Sequence, residues 1–500
     1  MRIVSLPLFG AVLGFAAMCA AQTAATSSAA PAPAPPPSPL KIGGVTVTGS
    51  LRSRVYDWDW FQPTAGDNSY AYSGNILRIG FSKSLDSWDW NAEFAVPFIL
   101  GLPASPTGTG PQQGGLGFGA NYLGANDNNQ NTAMIFPKQL YVRIDRMWGS
   151  KANTLQIGRF EFLDGSETAP KNATLAALKR DRINQRLLGN FGFSDVGRSF
   201  DGVHYVFSGK SDNITFVAAV PTRGVFQTDG WGWNRIGFGY GSYTKTWGKG
   251  RHAADTRFFV LEYDDFRHIL KTDTRALAVR KGDTENIRIN TFGGHSVHAF
   301  QTKAGTVDLL VWGALQTGRW GTQKQLSNAI DFEGGFQPKI LPKLKPWVRG
   351  GSYNGSGDGN PNDNKHETFF QVLPTPRPFA RFPFFNMMNN RDEFATLMLR
   401  PHSKITTTSE FHALALSNAN DFWYAGGGAF QPWTFGYTGR STSGKQSLAN
   451  LYDTNVEYRF NRKFTFTGYF GYAQGLAAME QIYPKGKDGR FGYVEMLYKF

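Results

Sequence analysis

The sequence ends FGYVEMLYKF, residues 491–500. Counting back from Phe500, positions 498, 496, 494 and 492 are Tyr, Met, Val and Gly; the alternate positions are Lys499, Leu497, Glu495 and Tyr493. Side chains that alternate in this way belong to a β-strand, whose residues point to opposite faces with period two. One face is apolar to the last residue and the other carries charge. The pattern recurs upstream. In VTVTGSLRSRVY, 45–56, Val45, Val47, Leu51 and Val55 oppose Thr46, Thr48, Arg52 and Arg54. In WDWNAEFAV, 88–96, Trp88, Trp90, Ala92, Phe94 and Val96 oppose Asp89, Asn91, Glu93 and Ala95. KQLYVRID, 138–145, and DTNVEYRF, 453–460, repeat it, the latter setting Thr454, Val456, Tyr458 and Phe460 against Asp453, Asn455, Glu457 and Arg459.

So many one-sided strands, with no helical periodicity between them, close more economically into a barrel than they stack. The expected fold is all-β: a transmembrane antiparallel up-and-down barrel of about eighteen strands, an even number as single-chain outer-membrane barrels have. The links support this. KSLDS, MWGSKA, SGKSD, KAG, RPHS and NR are short and follow even strands; 99–136, 162–198, 354–391 and 416–451 are long, rich in Gly, Asn and Pro, and follow odd strands. Short inner turns and long outer loops alternate so when both termini are periplasmic. The closing strand 491–500 then turns its apolar face to lipid. Aromatics at 15 %, with 41 Phe, 19 Tyr and 13 Trp, suit aromatic girdles.

The first residues, MRIVSLPLFGAVLGFAAMCAAQ, pair one Arg with an apolar stretch and small residues. This reads as a secretory signal peptide, 1–21, cleaved after Ala21. Residues 22–40 are a Pro/Ala-rich periplasmic linker and 41–500 the barrel domain. Cleavage removes Cys19, the one cysteine, so no disulfide framework is expected. Met18 stands where a lipoprotein signal wants a small residue. No later segment has the roughly 18 unbroken apolar residues of a spanning helix. The net charge of +14 suits an anionic partner, and export leaves nucleic acid out.

Parity assigns charged side chains to the lumen: Arg52, Arg54, Arg78, Glu93, Arg143, Asp331, Glu333, Arg349, Glu410, Glu457 and Arg459. Turned to the bilayer midplane an Arg or Lys would cost about 2–4 kcal/mol. Each of these groups serves either as substrate-facing polarity or as a structural ion pair bracing the wall; together, rings of Arg favour anions, and the planar guanidinium fork fits carboxylates. Arg159 in TLQIGRFE shares parity with Leu155 and Ile157, so either Gly158 makes a bulge that turns it inward or the strand ends there. The segment KNATLAALKRDRINQRLLGN, 171–190, carries Lys179, Arg180, Arg182 and Arg186, and Leu175, Leu178 and Leu187 give it a short helix. It is either a basic ladder for a polyanion or a solvated loop facing lipopolysaccharide phosphates. Asp358, Asn360, Asn362 and Asp363 in SGDGNPND have the oxygen spacing of a calcium loop, and turn chemistry explains them equally.

Signatures of catalysis are missing: there is no G-x-S-x-G or H-E-x-x-H, and SGKS at 208–211 lacks the upstream Gly of a P-loop. His295 and His298 face opposite sides of one strand, as do Ser409 and His412. The expectation is a non-enzymatic channel without cofactor.

The segment 356–428 contains SGDGNPND, ETFFQVLPT, NMMN followed by RD, the RPHSK turn and DFWYAGGG. Upstream stand LQIGRFEF (155–162), the Arg-rich NQRLLGNFGFSDVGRSFDGV (184–203, with Arg186 and Arg198) and ALQTGRW (314–320). In this order, from about Gly49 onward, they resemble the alginate-export family of outer-membrane barrels. The resemblance implies eighteen strands, a lumen lined by Arg, Lys, Asp and Glu, an inward Arg159, and a monomer. The family's type member passes an anionic polyuronate outward, which also implies periplasmic export partners. PTPRPFARFPFFNMMN, 374–389, differs in detail from the type member. The expected function is passive passage of an alginate-like polysaccharide or oligosaccharide through an arginine-lined lumen. The alternatives are a general or small-solute anion porin and, from another class, a barrel enzyme or adhesin. Lipid and lipopolysaccharide of a Gram-negative outer membrane are the surroundings.

Overall fold

Eighteen strands close on themselves. A computed structural model describes residues 40–110, 112–376 and 379–500; the expected signal peptide and nearly all of the expected linker lie outside them. In chain order the wall strands are β1 (Val45–Asp59), β2 (Ser69–Ser84), β3 (Trp88–Leu100), β4 (Phe136–Asp145), β5 (Asn153–Phe160) and β6 (Phe200–Ser208). Then come β7 (Asp212–Pro221), β8 (Ile236–Trp247), β9 (His252–Asp265), β10 (Ile287–Gln301), β11 (Gly305–Trp320) and β12 (Gln323–Pro338). The last are β13 (Trp347–Gly355), β14 (Asn390–His402), β15 (Ile405–Leu416), β16 (Ser447–Arg459), β17 (Phe464–Gly475) and β18 (Gly489–Lys499). Each pairs antiparallel with the next, and β1 pairs with β18 from Ser50↔Lys499 to Asp59↔Arg490. The barrel wall leaves no edge open, as a bilayer demands of a β protein.

The closing strand behaves as its alternation predicts. Phe491, Tyr493 and Glu495 turn inward, while Val494 is exposed on the outer face with Met496 and Tyr498 along it. Around the barrel the outer face shows Phe258, Leu315, Phe216, Val348 and Phe332, each at least half exposed. This apolar belt needs lipid as its solvent. No helix among the described residues is long and apolar enough to cross a membrane.

One end of the barrel carries short turns after every even strand, as in 403–404 between β14 and β15. The other end carries long loops, including 101–135, 161–199, 356–389 and 417–446. One link departs from the alternation: β11 and β12 are joined at the long-loop end by 321–322 alone, with Gly321 at φ +60°. Both β1 and β18 have their outer termini at the short-turn end.

Candidate functional site

The long loops do not stand above the barrel; they enter it. Loop 161–199 follows β5 and crosses to β9, β12 and β1. Its local form follows from its sequence: Asn172 caps a short helix α1 (Ala173–Leu178), accepting hydrogen bonds from the Thr174 and Leu175 amides at 3.0 and 3.2 Å. A wider turn, Lys179–Ile183, continues it. Leu175, Leu178, Ile183, Leu187 and Leu188 are buried, so the apolar stripe packs inside and leaves the intervening cations to find partners.

Four ionic anchors tie this loop to the wall. At its start, Glu161 accepts from Arg78 of β2 at 2.8 Å and lies 3.5 Å from Lys138, while Arg78 also grips Glu93 at 2.5 Å. Next, Asp164 and Glu167 meet Arg257 of β9 at 3.4 and 3.1 Å, and Lys179 meets Asp255 at 3.0 Å. Burial works against ionisation of Glu167, but Arg257 and Lys179 outweigh it and hold its carboxyl below the usual range. At the third anchor Glu333 of β12 receives Arg182 at 2.8 Å, Arg186 at 3.4 Å and Arg349 of β13 at 2.7 Å. Arg186 also pairs with Asp331, and Arg349 with Asp308. At the fourth, Asp195 accepts from Tyr56 at 2.7 Å and from Arg52 at 3.3 Å. Gly74 of β2 makes room there, since a Cβ on it would lie 2.2 Å from an Asp195 oxygen. Arg54 beside it donates to Glu495 of β18 at 2.5 Å.

The other loops lock onto this one. The Leu373 amide donates to the Leu187 carbonyl at 2.7 Å, and the Gly189 amide to the Leu373 carbonyl at 2.8 Å. Among the described residues Arg198 has no carboxylate partner; it donates to the carbonyls of Gly428 at 3.1 Å and Pro374 at 2.9 Å, and burial pushes its guanidinium down to about 9. Between loops 101–135, 222–235 and 417–446 lies a cavity of about 250 Å³, lined by Asn121, Phe226, Gln431 and Tyr437 among others and by no charged side chain.

The short-turn half of the interior is wetter. Arg143 is part exposed and pairs with Asp89 at 2.5 Å; Arg180 and Arg459 are exposed and pair with Asp181 at 2.6 Å and Glu457 at 2.8 Å. Glu410 accepts from Thr396 at 3.3 Å. Arg400 faces the same space. It stands where the pairing of β14 with β15 shifts, between Leu399 and His402, and its neighbours place it: it feels the charges of the lumen groups Arg180, Asp181 and Arg459, none of them within ion-pair distance among the described residues.

Two sequence expectations need correction. Gly158 does take φ +126°, but pairing runs through it without an inserted residue: Ile157↔Val142, Gly158↔Tyr141, Arg159↔Leu140. With no bulge, Arg159 stays on the outer face, opposite the inward reading of the family comparison. There it grips Asp201 of β6 in a bidentate pair, 2.7 and 2.8 Å, under Trp231 and Trp233. The calcium candidates do not converge either. Asp358, Asn360 and Asp363 each close a turn by accepting an amide, from Asn360, Asn362 and Lys365 at 3.0, 3.1 and 3.0 Å. Sequence reasoning passed over Asp195, Arg257, Asp255, Asp308 and Arg400. Asp255 and Arg257 lead into Phe258–Leu261, a stretch apolar on both faces, and Arg400 hides in a turn motif.

Residues 125–446 match the model of the Alginate export family. No curated protein matches the sequence. Among solved structures, the chain resembles Pseudomonas aeruginosa OccK9 (OpdG) with a TM-score of 0.58 at 9 % identity, covering 91 % of this chain and 98 % of that one. Acinetobacter baumannii OccAB2 gives 0.56 at 9 %, covering 92 % and 98 %. Pseudomonas aeruginosa OpdK, solved with vanillate, gives 0.53 at 9 %, covering 91 % and 98 %. At such identities these neighbours share the fold. The family match spans well over half of the sequence, and with it the closed barrel, the lipid-facing belt and the inserted loops come together: the chain belongs to the Alginate export family and is a porin-like channel barrel of the Gram-negative outer membrane.

Proposed function

We propose that the channel passes an anionic polysaccharide or its oligomers, of the polyuronate kind, by passive diffusion, and that the short-turn end is its periplasmic entrance. The observation that carries this reading is Arg400, an inward arginine in the wet half with no carboxylate in contact among the described residues, beside Arg180 and Arg459. A chain of carboxylates meets there one guanidinium without an acid in contact and two exposed ones whose acids are half-buried, and so exchange with a mobile anion. Membership of the Alginate export family supports the same substrate class. In this reading Arg143 continues the path along the wall, Arg52 and Arg78 border it while anchoring the inserted loop, and the deeper arginines hold that loop alone.

A second reading, a porin for small carboxylates, has its own support: three loops fill the long-loop half, and a fold neighbour was solved with a single-ring carboxylate, vanillate. Single-channel conductance of the refolded protein separates the two. Anion selectivity with block by polyuronate added at one side supports polymer passage. An open pore indifferent to polyuronate, with liposome swelling in small uronates, supports the small-solute reading. A cation-selective pore overturns both.

A further inference from the structure

On the outer face at the long-loop end, four cations stand in one row. Arg288 of β10 is paired in register with Arg319 of β11, Arg319 with Lys324 of β12, and Lys324 with Lys365, whose short strand Lys365–His366 continues the sheet beyond the end of β13. Their direction is fixed by alternation. Ile287, Trp320, Gln323 and His366 next to them are buried inside, and all four cations are exposed. Directly opposed Cβ atoms lie about 4.5–5.5 Å apart, and like charges so placed destabilise a sheet. Acids relieve only the ends of the row: Asp264 is 3.4 Å from Arg288 and Asp363 is 3.7 Å from Lys365. Arg319 and Lys324 in the middle have no ion pair among the described residues.

The same strands continue directly into the lipid-facing belt. Leu326 stands two residues below Lys324, and Phe292 and Leu315 stand four residues from Arg288 and Arg319, all exposed. At about 3.3 Å per residue, the cations sit roughly 7–13 Å above these side chains, which is the depth of a headgroup on its acyl chains. We propose that this row docks a phosphorylated glycolipid of the outer leaflet, of the lipid A type. Its phosphates would lie on Arg288, Arg319, Lys324 and Lys365, and its acyl chains on Phe292, Leu315 and Leu326. Guanidinium forks bind phosphate bidentately, and a soluble phosphate would have no use for the belt beneath. The inference is independent of what the pore conducts.

The test uses the refolded full barrel, its closure checked by heat-modifiable migration. Wild type is compared with Arg288→Gln/Arg319→Gln/Lys324→Gln and with an outward-facing control, Arg391→Gln/Arg490→Gln. The probes are bisphosphorylated lipid A, dephosphorylated lipid A, phosphatidylglycerol and inorganic phosphate, with binding read by native mass spectrometry. Wild type and control should retain bisphosphorylated lipid A, and the triple variant should lose about 100-fold in affinity. Equal retention by the triple variant, or equal retention of dephosphorylated lipid A by wild type, overturns the proposal. Phosphatidylglycerol binding as tightly as lipid A, or inorganic phosphate displacing lipid A completely, would make the row a general anion surface and overturn the glycolipid assignment.

Discussion

Neutralising Glu333 should unseat the segment that crosses the pore. Its carboxylate is fully buried and receives Arg182, Arg186 and Arg349, themselves 2–10 % exposed, so solvent screens none of these contacts appreciably. Removing one member of a buried ion pair costs about 3–5 kcal/mol, because the remaining charge is left without compensation. In Glu333→Gln the amide oxygen still accepts one bond, which places the loss near 3 kcal/mol by the same rule. Arg349 keeps Asp308 and Arg186 keeps Asp331, so the loss falls mainly on seating Arg182. Once unseated, Arg182 is hydrated and the penalty vanishes. The equilibrium between seated and unseated segment therefore moves by about 100-fold. Amide hydrogen exchange reads this directly, since the Asn184 amide donates to Lys179 at 2.8 Å and the Leu187 and Leu188 amides to Asp164 at 3.1 and 2.9 Å only while the segment is seated. Protection of peptides spanning 179–190 should fall about 100-fold while wall strands such as β15 keep theirs. Unchanged protection in a correctly closed barrel would refute the view that Glu333 holds the loop.

Arg400→Glu should lower the anion/cation permeability ratio about twofold or more, with no change in heat-modifiable migration; an unaltered reversal potential would remove Arg400 from the conduction path. The double reversal Arg143→Glu/Arg459→Glu, at accessible wall arginines of the wet half, should shift selectivity the same way, and no shift would count against the wall arginines as a source of selectivity. Acid should loosen loop 161–199. Burial opposes ionisation of Glu161 and Glu167, yet Lys138 and Arg78, and Arg257 and Lys179, hold both below the ordinary carboxylate range, so their contribution is complete above an unfolded value of about 4.3 and is lost as pH falls through the lowered folded values. Asp421 has the opposite sign. Burial pushes it up to about 6, so its contribution is present below the unfolded value and fades as pH rises through 6. Loop exchange should thus rise steeply only below pH about 4, and a flat profile there would contradict the ionic anchoring. Arg159→Ala should cost about 1–3 kcal/mol of rim stability through its Asp201 pair and leave conductance and selectivity untouched, because the side chain faces outward.

The wall was legible because lipid imposes a one-sided rule. Val494, Met496 and Tyr498 must be apolar, while Glu495 between them need not be, and that contrast survives in the sequence. The interior was less legible because the entering loops change its solvent. On β9, Phe259, Leu261 and Tyr263 face inward and are apolar, while Phe258 and Val260 face outward and are apolar too. The alternation that reveals a strand against water disappears where both faces are dry, and Asp255 and Arg257 disappear with it. Arg159 failed for another reason. A glycine at positive φ suggests a bulge, but only register can show whether a residue has been inserted. The pairing of Asp195 with Arg52, or of Asp164 with Arg257, depends on contacts across more than ninety residues of sequence, which neither spacing nor parity encodes.

The inserted loops also sort the arginines by what they are free to do. A charge covered by a loop must be paired or hydrogen-bonded, since an isolated buried ion is far costlier, and Arg198, held by two carbonyls, takes the second course. Arg54, Arg182, Arg186, Arg257 and Arg349 obey this, each with a carboxylate in contact. A polyanion threading past them would have to displace Glu333 or Asp331, and so could pass only if the loop moves. A small carboxylate reaching Arg180, Arg400 and Arg459 displaces nothing buried. Substrate size and loop movement are therefore one question in this barrel. If the segment 179–190 exchanges freely once Glu333 is neutralised, and polymer block appears in the same variant, the loop is the gate for long chains; if exchange rises and the polymer still fails to enter, the wet half alone sets what the channel accepts.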